Sequence, residues 1–200
     1  MARDAVLRDV IRFFVDSASP RWVFRTQLVK LVFLADYETY RIRKQSLTGL
    51  DYVVDHQGPF AWDIPNTAGA MEDDEVNVTE GASAYGGREY RYSSYSTQRE
   101  YENLSAQDRA LLQRLWDQYG DYTPTEIVDL VHKMDFVRHF AIDEHIDFRL
   151  ALADPKDADE LNAWRERRPK TRPSRSPNEA AQLMHALHSM RHGEEAHLLP

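Results

Sequence analysis

The stretch RTQLVKLVFLADYETYRIR, residues 25–43, decides the fold. Its first half carries Leu28, Val29, Leu31, Val32, Phe33, Leu34 and Ala35, which leaves little polar surface on any side of a helix. Its second half, from Tyr37 to Lys44, is polar and basic. A helix that is apolar all round is a buried one. This element is therefore predicted to run through the core at one end and to reach water at the other, with Thr26 as its N-cap.

Upstream, Leu7, Val10, Ile11 and Phe14 fall at i, i+3, i+4 and i+7 within residues 4–16, the stripe of an amphipathic helix, which Ser19-Pro20 ends. Downstream, LTGLDYVVD turns at Gly49 and predicts a short strand over residues 51–55, broken by Gly58-Pro59. Residues 64–71 predict a short helix with Pro65 in its first turn, where a missing N–H costs nothing. EVNVTEG and REYRYSSY alternate with period two, so residues 76–78 and 89–95 are predicted to pair antiparallel around Gly86-Gly87 as an exposed wing.

Two more helices have clear start signals. Ser105 is the expected N-cap of a helix over residues 105–119, with Leu111, Leu112, Leu115 and Trp116 on one face and Gly120 as its stop. Thr123, Pro124 and Glu126 spell a capping box with proline at the first helical position, opening a helix that reaches His132. Beyond residue 147 charge, Pro and Ser dominate, and a short helix over 160–167, a flexible basic linker and a last helix over 178–190 are expected. The fold class is mainly α with a small antiparallel β element (α+β). A helical domain over residues 1–147 is followed by a charged linker with a C-terminal amphipathic helix over 148–200.

Composition narrows the function. At 200 residues, 42% hydrophobic and 11% aromatic, the chain suits one sizeable globular domain. No apolar run approaches the roughly 20 residues a bilayer span needs, and the N-terminus lacks a signal peptide's apolar region, so the cytoplasm is the expected location and no membrane partner is expected. The absence of cysteine excludes a disulfide framework, Cys-based zinc sites and a thiol nucleophile. A net charge of -8 argues against sequence-independent binding to nucleic acid. The basic stretch RERRPKTRPSR, residues 165–175, reads as a spacer.

Catalytic motifs are missing: there is no G-x-S-x-G, no G-x-G-x-x-G and no G-x-x-x-x-G-K-[ST]. Two clusters have metal-like composition, His185, His188, His192 and His197, and His139, Asp143, Glu144 and His145. Neither has the HExxH spacing, and both read as solvated faces, with no cofactor or metal implied. A small metal-dependent hydrolase using His and carboxylate ligands is the alternative function. A helix-turn-helix drawn over residues 105–133 would aim Glu126 at the bases, the wrong sign for DNA. In YVVDHQGPFAW, residues 52–62, Gly58 and Pro59 account for a backbone corner. They leave Phe60 and Trp62 open, as core residues or as a surface anchor pair.

The order of the pieces is itself informative. A K-L-x-x-L-A-D-like helix centre (Lys30, Leu31, Leu34, Ala35, Asp36) is followed by a T-G-x-x-Y strand start (Thr48, Gly49, Tyr52) and the Gly58-Pro59 corner. An L-S helix start (Leu104, Ser105) and a Y-G-x-x-T helix pair (Tyr119, Gly120, Thr123) ending in His132 complete the set. Over residues 4–140 this resembles the Panacea domain, the SocA-like antitoxin family. The resemblance implies an antitoxin that neutralises a protein toxin encoded nearby by direct binding, with no chemistry of its own. It leaves open masking of the toxin or its delivery to a cellular protease system. The residues expected at the partner surface are Tyr52, Gly58, Pro59, Phe60, Trp62, Tyr90 and Tyr92. An acidic surface would suit a basic toxin.

Overall fold

The apolar run is a helix with the expected limits, Arg25–Arg43, in the computed structural model, which describes residues 2–72, 75–82, 87–95 and 100–149. In chain order the elements are α1 (Ala2–Ser17), β1 (Val23–Phe24), α2 (Arg25–Arg43), β2 (Val53–Asp55), β3 (Gly58–Phe60) and α3 (Asp63–Ala70). They continue with β4 (Val76–Ala82), β5 (Arg88–Ser94), α4 (Ala106–Tyr119), α5 (Pro124–His132) and α6 (Asp135–Arg138). The predicted helices over 160–167 and 178–190, the basic linker and the cluster His185, His188, His192 and His197 lie outside the described residues.

Every residue of α2 from Gln27 to Asp36 is buried, because α1, α3, α4, α5 and both sheets surround that half. Burying each Leu, Val or Phe there contributes about 1.5–3 kcal/mol. The N-cap of α2 is Phe24, without a side-chain cap; Thr26, expected there, instead donates its hydroxyl to Gln57 Oε1 at 3.4 Å. The two-residue strand β1 runs straight into the helix, so the cap position falls on a strand residue.

Among the described residues five strands make two sheets. In the first, the order is β1-β5-β4, antiparallel, with Phe24 opposite Arg91 and Thr79 opposite the same arginine from the other side. The predicted wing is thus longer than read, and it is not peripheral. Val76 and Tyr92 are buried, and Ser94 donates to Asp16 of α1. Alternation along β5 turns Tyr92 inward against the helices, which the many polar residues between obscure in the sequence.

The second sheet is the β2–β3 hairpin, with Val54 opposite Pro59. Gly58-Pro59 does not break the strand as expected; it begins the returning one, after a turn at His56-Gln57. Past α6 the chain doubles back along β2. Val54 N–H donates to the Glu144 carbonyl at 3.0 Å, Asp143 N–H to Val54 at 2.7 Å and Ile146 N–H to Tyr52 at 2.8 Å. Phe148 then enters an aromatic cluster, 5.8 Å from Phe33 and 6.0 Å from Phe136 between ring centroids.

The two later helix starts are as read. Ser105 caps α4 with Asp108 returning the bond, and Thr123 and Glu126 form the capping box of α5 with Pro124 in its first turn.

Candidate interaction site

Two charged side chains enter the core from α2. Lys30 is 1% exposed, and its ammonium donates to the Pro59 carbonyl at 2.7 Å. Proline brings no N–H to β3, so at that residue the carbonyl is the one backbone group to satisfy, and Lys30 satisfies it. Burial lowers the Lys30 pKa to about 7, opposed by the nearby charge of Asp55.

Asp36, six residues on in the same helix, is fully buried. It accepts the Thr48 N–H at 2.6 Å, the Thr48 hydroxyl, and the Tyr52 hydroxyl at 2.8 Å. Burial raises its carboxyl to about 6, outweighing these donors, which favour the ionised form. Burial, with Asp36 beside it, also pushes the Tyr52 phenol well above its ordinary value. The three side chains tie α2 to the loop and strand that lead into the hairpin.

Gly58 completes the frame. Its φ is +85°, and a Cβ there would lie 2.9 Å from His132 Cδ2 and 3.0 Å from Nε2. Only glycine lets β3 lie this close to α5 in this conformation. Residues far apart in sequence, Lys30, Asp36, Thr48, Tyr52, Gly58, Pro59 and His132, thus meet around one hairpin.

Where the hairpin passes into α3 it presents Phe60, the last residue of β3, and Trp62, the N-cap of α3. Their rings stand edge to face with centroids 4.8 Å apart; Phe60 is half-buried and Trp62 is 43% exposed. Of the seven residues expected at a partner surface, these two therefore stand side by side with solvent-exposed area. Tyr52, Gly58 and Pro59 are buried beneath them. Tyr90 and Tyr92 belong to the other sheet: Tyr92 is buried, and half-buried Tyr90 has the Arg25 guanidinium 4.6 Å above its ring.

A second exposed group escaped sequence reasoning. Trp22, 47% exposed, lies 4.8 Å under the Arg91 guanidinium, which also covers Phe24 at 5.6 Å. A two-residue strand has no alternation to display, so the pattern that would have placed Trp22 and Phe24 on the outer face was too short to read.

The metal-like cluster near the end of the described chain does not assemble. Asp143 and His145 lie in the segment along β2, Glu144 accepts the Ala141 N–H at 2.8 Å, and His139 ends α6. Among the described residues no group of three His, Asp or Glu side chains converges to hold a metal ion. The hydrolase alternative has no site there. No helix among the described residues is long and apolar enough to cross a membrane.

A family model described as Antitoxin SocA-like, Panacea domain, matches residues 28–135, from inside α2 to the start of α6. Comparisons with curated proteins and with solved structures return no match. The matched stretch is more than half of the chain and holds the Lys30, Asp36 and Gly58 frame, and this protein belongs to the antitoxin SocA-like Panacea domain family.

Proposed function

We propose that this chain neutralises a cognate toxin, encoded nearby, by binding it directly, with the Phe60–Trp62 corner at the centre of the contact. Membership of an antitoxin-like family makes the chain antitoxin-like rather than an enzyme. The observation that carries the surface assignment is the pairing of an exposed tryptophan with a phenylalanine on a hairpin held by buried Lys30. Aromatics on a pre-fixed backbone lose little freedom on docking and are typical anchors of protein interfaces. Tyr52, Gly58 and Pro59 serve this surface from beneath, and Tyr90 and Tyr92 shape the sheet beside α2. The cytoplasm is the setting this reading assigns. Masking of the toxin suffices for neutralisation; delivery to a cellular protease system would add a partner without changing the anchor pair.

The test is co-expression with the product of the adjacent gene, scored by growth and co-purification. The expected result is that the neighbour alone arrests growth, that the pair grows and purifies as a complex, and that Phe60→Ala with Trp62→Ala weakens binding at least about thirtyfold while the circular dichroism spectrum is kept. A harmless neighbour that does not co-purify would overturn the antitoxin reading. A complex indifferent to both substitutions would overturn the surface assignment alone.

A further inference from the structure

A sheet edge exposes backbone N–H and C=O groups that will pair with any strand that reaches them, and folds normally blunt such edges. Among the described residues, two of the four sheet edges are closed and a third is blunted by its shortness. On β3, Pro59 removes a donor and Lys30 occupies its carbonyl. On β2, the segment carrying Asp143, Glu144 and Ile146 pairs with the backbone. At the other end of the β1-β5-β4 sheet the edge strand is β1, which is blunted by being only two residues long and turning at once into α2.

The fourth edge is different. β4 runs for seven residues, VNVTEGA; Glu72 bridges its first residue, Val76, and beyond that, among the described residues, the one strand paired with it is β5. It has no proline and no lysine, and its one charge, Glu80, is engaged by Arg88 at 3.3 Å on the neighbouring strand. Val76 N–H donates to the Met71 carbonyl at 3.0 Å, so it is not spent on β5. Antiparallel alternation then turns the N–H groups of Val78, Glu80 and Ala82 to that same outer side, while Asn77, Thr79 and Gly81 face β5.

We infer that β4 is a docking strand: it takes up an extended, non-acidic segment of the toxin as a fourth strand of the β1-β5-β4 sheet. This rests on the antitoxin reading and adds to it a second, backbone-mediated contact. Strand addition draws affinity from main-chain hydrogen bonds and specificity from alternate side chains. The added strand would lie about 4.8 Å beyond β4, continuing the outer face that already carries Thr79, Arg91 and Trp22.

Charge selects a toxin segment over a second copy of this chain. In a two-fold antiparallel pairing of β4 with itself centred on Thr79 or Gly81, the two Glu80 carboxylates are diagonal neighbours; centred on Glu80, they are directly opposite. Like charges so placed repel. Each copy also carries a net charge of -8, which opposes self-association.

The test uses the full chain and the adjacent-gene product. Glu80→Pro removes an outward N–H without touching the bonds to β5, whereas Glu80→Thr removes the same carboxylate and keeps the N–H. Binding is expected to weaken about tenfold or more in E80P and less than about threefold in E80T. Should E80P fail to fold, hydrogen exchange on the unmodified chain decides: the amides of Val78, Glu80 and Ala82 slow on complex formation. A complex that forms with those amides unprotected and E80P binding normally overturns this inference and leaves the antitoxin reading intact. The same amides protected in the free chain with a doubled molecular mass would make the occupant a second copy and also overturn it. No complex at all defeats the antitoxin reading, and the inference with it.

Discussion

In the β2–β3 hairpin each edge is closed by a group drawn from elsewhere in the chain, Lys30 on one side and the backbone around Glu144 on the other. In the β1-β5-β4 sheet the strands hold one another through seven opposed pairs between β4 and β5, and the outer edge of β4 has no strand beside it among the described residues. One region is short and is made rigid by buried polar groups; the other is longer and rests on its own ladder. The hairpin spends its polar groups on holding an aromatic corner in place, whereas β4 meets no strand on its outer side among the described residues. Burying Lys30 and Asp36 is costly because each loses its hydration, so they are better understood as fixing one geometry than as adding stability.

That contrast breaks most easily at Asp36. Asp36→Ala removes the acceptor of three buried donors from Thr48 and Tyr52, and a loss of about 4 kcal/mol is expected in urea unfolding. The pH dependence follows from the direction of the shift. The folded pKa of Asp36 is raised from 3.8 to about 6, so the folded state binds its proton more tightly than the unfolded one. The contribution is fully present below about pH 4 and is lost as pH rises through about 6. Asp36→Asn, which does not titrate, should lack that decline. A wild-type stability difference relative to Asp36→Asn that grows with pH over this window would contradict the assignment.

A smaller effect is expected at Gly58. Gly58→Ala places a Cβ 2.9 Å from His132 at a φ of +85° and should cost about 2 kcal/mol, read as a lowered thermal midpoint. Adding His132→Ala should recover only part of it, since the backbone strain remains when the ring is gone. Full recovery would mean that steric contact alone makes this residue glycine.

Much of this architecture was legible in the sequence, and the boundary of legibility is physical. The limits of α2 follow from an apolar run with no polar face, and the starts of α4 and α5 from Ser105, Thr123 and Pro124, whose side chains act within one turn. Elements made by distant backbone pairing leave no local trace. The segment along β2 is held through main-chain groups that any residue could supply, and β1 is too short to alternate. Gly58-Pro59 suggested a break because proline is excluded from most ladders; here it sits where a lysine side chain replaces the missing neighbour. The buried roles of Lys30 and Asp36 did have a signal, two charges on a helix whose other residues from Leu28 to Ala35 are apolar. The Phe60–Trp62 pair was visible as composition, but its exposure depends on the whole frame beneath it.

Hydrogen exchange of the free, full-length chain tests the contrast between closed and open edges most directly. The amides of Val54, Asp143 and Ile146, each bonded across β2, are expected to exchange only through global unfolding, while those of Val78 and Glu80 exchange by local fluctuation at rates orders of magnitude faster. Equal, global protection at Val78 and Glu80 would show that β4 is already covered in the free chain, and the distinction between the two sheets would fail.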